Sequence, residues 1–300
     1  MELRQLKTFR TVATLNSFHQ AAAALNCAQS TVSEQIKALE TDLDVALFRR
    51  AGKQIALTEA GELLLRYAQK MLDLEAEVKT EVPNRQEHYG TFSIRIPETL
   101  SMYYLPPIFK TFHQRFPRIR FYFNSCAYYS LQQELQSGIT NLAFLIMDTF
   151  QAAQVETEVL FDVPLVLVAH PDHPLASQPS VSPQDLKGQL ILLSKSDCSY
   201  RMLFERMLTE EKIESALIVD FSSTEAMKQC LMAGLGLTII PEIAVRTELA
   251  AGRLVVLPWQ GKPFDARLLM IWHKQIWISP ILQAFMDMIR ATITLARTDF

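Results

Sequence analysis

The chain has 300 residues, 49% of them apolar and 20% charged, and its formal net charge at pH 7 is −3. This length and composition predict a multidomain globular protein with more than one hydrophobic core. No stretch reaches the roughly 18 apolar residues that a membrane helix needs, and no basic and apolar leader opens the chain, so we expect a soluble cytoplasmic protein without a membrane partner.

Cysteine spacing and charge distribution narrow the class of partner. The cysteines lie far apart in the chain, at Cys27, Cys126, Cys198 and Cys230. They show none of the paired spacings of zinc sites or disulfide frameworks, so a reducing compartment fits, and neither a metal nor a cofactor is expected. Residues 1–58 carry seven basic and five acidic residues, whereas the remainder carries 22 and 27. This asymmetry permits DNA binding by the N-terminal segment without proving it.

Helical periodicity near the N-terminus predicts a helix-turn-helix followed by a β-wing. Apolar residues recur at i, i+3 and i+4 from Leu3 onward. Ser17, with Gln20 three residues later, has the arrangement of a capping box and predicts the start of a second helix. A third helix is predicted over Gln29–Leu43, with its apolar residues on one face. Residues 47–58 are typical of two short strands joined by a basic turn that contains a glycine.

A long helical stretch is predicted from Thr58 to about Glu87, where Pro83 should end or kink it. Its apolar stripe consists of Leu63, Leu64, Tyr67, Met71, Leu74 and Val78. This stripe is too narrow for burial in one globule, so we expect a dimerising linker with coiled-coil-like packing. The alternative is a core helix of the neighbouring domain.

Beyond Gly90 strands and helices alternate, which is the signature of a mostly parallel α/β sheet. Strands are predicted at Phe92–Ile96, Ile119–Phe123, Leu142–Ile146, Leu165–Ala169, Leu190–Leu193, Leu217–Asp220, Leu237–Ile240 and Leu268–Trp272. Intervening helices are predicted near Leu100–Phe116 and Leu131–Gly138, and a final one at Pro280–Ala296. The series that begins at Val163 suggests a second lobe, and the last strand and helix fit either lobe.

Motifs shared with one known family extend over essentially the whole chain. They include Ala21–Ala24, Ser30, Val32, Ser33, Glu40, Leu47-Phe48-Arg49-Arg50, Leu57-Thr58-Glu59-Ala60-Gly61, Leu105-Pro106, the segment 170–175, and Gly234-Leu235-Gly236 before Pro241. On these residues the chain resembles the LysR-type transcriptional regulators. The resemblance implies an α/β protein with an N-terminal winged helix-turn-helix, a long linker helix, and two Rossmann-like lobes resembling a type 2 periplasmic binding protein.

The resemblance also implies a division of the chain and a set of partners. The winged helix-turn-helix covers 1–58, the linker helix 59–89 and the effector-binding domain 90–300. Lobe one takes 90–162 plus 267–300, and lobe two takes 163–266. The implied partners are double-stranded promoter or operator DNA, a small-molecule effector, and further copies of the chain in a dimer or tetramer, with RNA polymerase as another candidate. Members of the family bend DNA and alter the bend when effector enters the cleft between the lobes.

Short polar side chains on the exposed face of the third helix can reach base edges, while cations pair with phosphates. The predicted DNA-binding residues are Gln29, Ser30, Thr31, Ser33, Gln35, Lys37, Arg49, Arg50 and Lys53. For Ser30 and Thr31 the alternative role is N-capping of the helix. Glu34 departs from the family, which usually has a basic or neutral residue there.

Helix N-termini at the ends of parallel strands favour anions, so a cleft rich in hydroxyl groups predicts a polar or anionic effector. Carried over from the family or placed beside the same crevice, the predicted effector-binding residues are Thr99, Ser101, Ser125, Cys126, Ser196, Cys198, Ser199, Arg201 and Thr224. The hydroxyls alternatively only cap helices. Arg201 either clamps a carboxylate or pairs with Glu205 four residues later.

Three alternative functions compete with an effector-controlled regulator. A redox sensor would use Cys198 at a helix N-terminus, where the pKa of a thiol is lowered, together with Cys230. An enzyme is disfavoured because the sequence has no nucleophile elbow, phosphate-binding glycine loop or metal-binding histidine motif. A solute-binding protein should carry a signal peptide and no winged helix.

Overall fold

The structure is a computed structural model that describes residues 1–51, 54–81, 90–125, 128–213, 217–275 and 278–296. The helices are α1 Leu3–Leu15, α2 Phe18–Ala24, α3 Gln29–Leu43, α4 Glu59–Glu81, α5 Glu98–Tyr103, α6 Leu105–Arg115, α7 Leu131–Ser137, α8 Ser199–Glu210, α9 Thr224–Met232, α10 Arg246–Ala250 and α11 Pro280–Ala296. The strands are β1 Phe48–Ala51, β2 Gln54–Leu57, β3 Gly90–Arg95, β4 Ile119–Asn124, β5 Leu142–Met147, β6 Val155–Asp162, β7 Leu165–Ala169, β8 Leu190–Ser194, β9 Leu217–Phe221, β10 Leu237–Pro241, β11 Val255–Val256 and β12 Arg267–His273.

The first three helices form a small core because each turns its apolar stripe inward. Phe9 of α1 and Val32 and Leu39 of α3 are fully buried in this cluster. Ser17 Oγ accepts a hydrogen bond from the Gln20 backbone N–H, which confirms the predicted cap of α2. Strands β1 and β2 then pair antiparallel as the predicted wing.

Helix α4 presents two apolar faces with different surroundings. Leu65, Ala68 and Leu72 are buried against the core of α1–α3. On the other face Leu63, Tyr67, Met71, Leu74 and Val78 are exposed, and Tyr67 and Leu74 keep 52% and 58% of their surface. Leu64 packs against the buried core instead, so it was wrongly assigned to the stripe. The helix therefore belongs partly to the N-terminal core and offers a second apolar surface.

Two five-stranded sheets follow. Sheet one has the order β4-β3-β5-β12-β6, and sheet two has the order β11-β7-β10-β8-β9. The chain passes to sheet two after Asp162 and returns to sheet one at Arg267, so β12 pairs antiparallel with β5 and β6. This pairing decides between the two lobes that the sequence left open for the last strand.

Several details of the predicted elements were wrong. Helix α10 and strand β11 were not predicted, and the sheets are mixed rather than mostly parallel, because β7 and β12 pair antiparallel with their neighbours. The strand β6 was not predicted, because its alternating, partly acidic sequence lies at a sheet edge and lacks an apolar run. The predicted continuous helix over 100–116 is two helices that meet at Tyr104, since Pro106 and Pro107 favour a new first turn there. The α/β fold class itself is confirmed. No helix in the described ranges has both the length and the apolar character that crossing a membrane would require.

Candidate DNA-binding surface and effector cleft

The outward face of α3 carries most of the residues predicted to contact DNA. Gln29, Ser30, Ser33 and Lys37 are exposed, whereas Thr31 and Gln35 are half-buried. These exposed side chains can form hydrogen bonds in the major groove while the buried face holds the helix in place.

The Gln35 side chain is hydrogen-bonded to α1, so it is only partly available for contact with DNA. Its Oε1 accepts a hydrogen bond from Thr8 Oγ1 at 2.6 Å. Thr8 is itself buried. The amide oxygen of Gln35 therefore helps to orient α3 on α1, a role that its sequence position did not reveal.

The N-terminus of α3 is not capped by a hydroxyl group. Ala28 is the N-cap residue, in an extended conformation, and no side chain caps this end. Ser30 and Thr31 lie inside the first turn, so the capping alternative for them is wrong. Glu34 is exposed beside Ser33, which places a negative charge on the surface predicted to meet DNA.

The wing is anchored to α3 through an acidic residue. Glu40 Oε1 accepts hydrogen bonds from the backbone N–H groups of Leu47 and Phe48, at 2.7 and 3.3 Å. Arg49 follows, exposed, with its Nε donating to the Leu57 carbonyl oxygen at 3.3 Å. Arg50 is the next residue of β1, and Lys53 lies outside the described residues.

The predicted effector residues of lobe one stand at the ends of its first two strands. Thr99 is buried in the first turn of α5, and Ser101 Oγ donates to the Pro97 carbonyl oxygen at 3.3 Å. Ser125 is exposed after β4, and its carbonyl oxygen accepts from Arg95 Nη1 at 3.1 Å. Cys126 lies outside the described residues.

In lobe two, Ser196 is exposed in the loop before α8, whereas Ser199 is completely buried. Ser199 Oγ accepts a hydrogen bond from the Ile146 backbone N–H at 2.9 Å. Ile146 belongs to β5 of sheet one, so this bond joins the two lobes. Tyr200 and Leu203 of α8 also pack into the core of lobe one.

Arg201 is held by acidic residues of its own lobe. It is buried, and its guanidinium bonds Glu205 Oε1 at 2.8 Å as well as Asp220 Oδ1 and the Ser194 carbonyl oxygen. Burial by itself would lower the pKa of Arg201, but the hydrogen bonds to Glu205 and Asp220 raise it. The predicted pairing with Glu205 is therefore present, and the carboxylate clamp is not the arrangement seen here.

The expected low pKa of the Cys198 thiol is wrong. Cys198 is the N-cap residue of α8, but burial raises its pKa, and this effect outweighs the neighbouring hydrogen bonds. Cys230 lies on α9, and neither cysteine forms a disulfide. A half-buried thiol with a raised pKa is a poor nucleophile, which argues against the redox alternative.

Thr224 meets a residue that the sequence did not single out. The Thr224 backbone N–H and hydroxyl both donate to Glu98 Oε2 at 2.9 Å, across 126 positions of sequence. A second unpredicted pair joins the same helices, since Lys228 Nζ donates to the Tyr103 hydroxyl at 3.2 Å. The only local signal was an acid at the start of a helix after a strand.

No group of histidine, cysteine or acidic side chains in the described part of the chain is arranged to hold a metal ion. The described cleft residues are hydroxyls, backbone amides and charged groups already paired within the protein. Such a surface can form hydrogen bonds with a small polar molecule.

Comparison with known proteins places two family profiles on the chain. Residues 3–62 match "Bacterial regulatory helix-turn-helix protein, lysR family", and residues 85–294 match "LysR substrate binding domain". The chain is 40% identical to the uncharacterized HTH-type transcriptional regulator YwqM of Bacillus subtilis, over 97% of this chain and 99% of the relative. It is 30% identical to the RuBisCO operon transcriptional regulator of Allochromatium vinosum, over 96% of this chain and 95% of that protein. A full-length OxyR variant from Pseudomonas aeruginosa superimposes with a TM-score of 0.70 at 25% identity, covering 98% of this chain and 95% of that one.

Proposed function

Because this chain belongs to the LysR family of DNA-binding transcriptional regulators, we propose that α3 and the wing bind promoter DNA under the control of a small polar or anionic effector between the lobes. The family is non-enzymatic, and the chain is a regulator with an effector-binding domain. The observation that carries the proposal is the exposed polar face of α3 beside the exposed Arg49 of the wing.

We assign distinct roles to the DNA-binding residues. Ser33, on the outer face of α3, reads base edges, and Arg49 contacts a phosphate. The other proposed DNA-binding residues on α3 are Gln29, Ser30, Thr31, Gln35 and Lys37. In the wing, Arg50 and Lys53 contact phosphates as Arg49 does. The domain boundaries proposed with it are 1–58, 59–89 and 90–300, and the two sheets form the cores of lobes 90–162 plus 267–300 and 163–266.

The test is a titration of DNA fragments that the wild-type chain selects from a random-sequence pool. Ser33→Ala should lose about 1 kcal/mol of discrimination between selected and random DNA. Arg49→Ala should weaken the binding of selected DNA and of random DNA equally. It should also reduce the steepness of the plot of log K against log salt concentration by about one. Lys187→Ala, which removes an exposed cation from lobe two, is the control. Binding curves identical to wild type at matched salt for Ser33→Ala and Arg49→Ala would refute the assignment.

We propose that the effector binds between the lobes and that its binding residues are Thr99, Ser101, Ser125, Cys126, Ser196, Cys198, Ser199, Arg201 and Thr224. Thr99 and Thr224 are buried at the starts of α5 and α9, which supports a site between these helices. No cofactor is part of the proposal.

Thermal unfolding of the full chain tests this site against small carboxylates, amino acids, sulfur compounds and inorganic anions. A ligand that binds only the folded protein raises the unfolding temperature. Ser101→Ala should reduce that shift, whereas Thr111→Val on α6 should not. The two variants are matched because both hydroxyls bond a carbonyl oxygen one turn back, at Pro97 and Pro107. A shift unchanged by Ser101→Ala would move the effector elsewhere.

The exposed apolar face of α4 supports a dimer joined through this helix, and two dimers would make the tetramer. We propose this assembly in the cytoplasm, where it would meet promoter DNA and RNA polymerase.

A further inference from the structure

The contact between α5 of lobe one and α9 of lobe two joins two helices that each begin where a strand ends. Helix α5 follows β3 of sheet one, and helix α9 follows β9 of sheet two. The contact contains two polar connections, and Tyr103 also packs against the buried apolar cluster that includes Met227 and Leu231 of α9. One connection is made by the Glu98 carboxylate and the other by the Tyr103 hydroxyl.

The Glu98 carboxylate caps a helix that belongs to the other lobe. Its Oε2 accepts from the backbone N–H and the hydroxyl of Thr224, each at 2.9 Å, and its Oε1 lies 3.5 Å from Ser223 Oγ. The first N–H groups of a helix have no partner within the helix, and its N-terminus carries partial positive charge. A carboxylate held there makes charge-assisted hydrogen bonds, which are stronger than those between neutral groups.

The second connection lies one turn along α9. The Tyr103 hydroxyl accepts a hydrogen bond from Lys228 Nζ at 3.2 Å and donates one to the Ala244 carbonyl oxygen at 3.1 Å. Both of its partners therefore belong to lobe two. Lys228 is buried, and its charge is balanced by Glu248 at 2.9 Å and Glu225 at 3.2 Å. Hydrogen bonds to Glu248 and Tyr103 keep the pKa of Lys228 raised although burial opposes it.

Because the α9 residues in these bonds are buried, the bonds restrict movement of one lobe relative to the other. Thr224 and Lys228 retain only 2% and 4% of their exposure. A lobe movement that broke the contacts would take Glu98 from the Thr224 N–H and hydroxyl, and Tyr103 from Lys228, which would keep Glu225 and Glu248. The two residues are four positions apart and therefore lie on one face of α9. Both bonds must break together when α5 leaves that face.

We propose that Glu98 is a built-in latch, a tethered carboxylate that fastens lobe one to the N-terminus of α9 while Tyr103 and Lys228 form its second fastening. The latch sets the arrangement of the lobes before any effector binds. An anionic group arriving at the start of α9 must displace the Glu98 carboxylate. The latch itself does not depend on the identity of an effector.

The test is hydrogen exchange of the full chain, free of DNA and of added small molecules, in wild type, Glu98→Gln and Glu210→Gln. Glu210 is an exposed acid at the end of α8 and serves as the matched control. In Glu98→Gln, the amides of 98–104 and 223–232 should exchange about three- to tenfold faster, because a charge-assisted pair is replaced by a neutral one at an exposed position. The control should match wild type in both segments.

Chemical rescue separates a latch from a general loss of stability. Glu98→Ala should show the same local acceleration, and acetate should reverse it by supplying a free carboxylate to α9, whereas acetamide should not. Tyr103→Phe should accelerate the same two segments without a response to acetate. Equal exchange in wild type and Glu98→Gln, acceleration spread over both sheets, or rescue by acetamide as effective as rescue by acetate would overturn the proposal.

Discussion

The start of α4 offers a sharp test of how the DNA-binding domain is joined to the linker helix. A Cβ atom added to Gly61 would lie 2.2 Å from the Leu47 carbonyl oxygen and 2.9 Å from Leu57 Cδ2. The Leu47 backbone has little freedom to move away. Its carbonyl oxygen accepts from the Thr58 N–H at 3.0 Å, and its N–H donates to Glu40 at 2.7 Å. Gly61→Ala must therefore shift backbone that supports both the wing and α4.

The expected magnitude follows from two opposing effects. Overpacking of this kind costs about 1–3 kcal/mol, while alanine gains about 1 kcal/mol over glycine inside a helix. A backbone contact as close as 2.2 Å belongs at the upper end of the range. We expect Gly61→Ala to lower the free energy of unfolding of the N-terminal domain by about 2 kcal/mol, which is a factor of roughly 30 in its opening equilibrium.

Hydrogen exchange of the buried amides of α1, α2 and α3 is the suitable assay, because it reports the opening of this domain separately from that of the two lobes. These amides should exchange about 30-fold faster than in wild type. Gly90→Ala is the control, since its Cβ would meet only Ile119 Cδ1 at an ordinary 3.5 Å. Exchange in Gly61→Ala as slow as in wild type would show that the Leu47 backbone does not confine α4 as described.

Three further predictions follow from buried and exposed groups. Leu74→Glu, on the exposed face of α4, should shift self-association toward monomer in sedimentation without slowing refolding; an unchanged oligomer would place the interface elsewhere. Burial would raise the pKa of Glu134, but hydrogen bonds, chiefly from Arg95, keep that pKa below its usual value. The stability that the ionised Glu134 contributes is therefore present above about pH 4.5 and is lost as the pH falls through the folded-state pKa. Urea unfolding of Glu134→Gln should accordingly differ from wild type at pH 7, and the difference should shrink as the pH falls below about 4.5; a constant difference would contradict this cause. Because burial raises the pKa of Cys198, its alkylation by iodoacetamide at pH 7 should be slower in the native chain than in urea, and equal rates would restore the redox alternative.

Local sequence patterns were sufficient for the elements that carry the DNA-binding surface. Helix α3 begins and ends at the predicted residues because its apolar spacing is regular. Ser17 caps α2 because a capping residue acts within one turn of its own position. The solvent-facing residues of α3 could be predicted from the same periodicity, because the positions of the buried residues determine which residues face solvent. Gln35 is the exception, because its partner Thr8 lies 27 positions earlier.

The cleft residues could be located but not given roles from the sequence. Thr224 was recognised as a hydroxyl at a helix start, and Arg201 as a cation with two candidate functions. Their partners come from topology, since the sheets place β3 and α5 opposite β9 and α9 only after the chain has crossed between lobes. Asp220 likewise reaches Arg201 because β9 lies beside β8.

What the sequence determined by itself is therefore the set of elements, their amphipathic faces and the family, all of which depend on short-range periodicity and motifs. Only the tertiary structure decided the antiparallel pairing of β12 with β5 and β6, the raised pKa of Cys198, the pairing of Arg201 with Asp220 and the bond from Glu98 to Thr224. The physical reason is common to all four. Burial, desolvation and hydrogen bonding between distant segments depend on which surfaces meet, and no local pattern in either segment encodes that meeting.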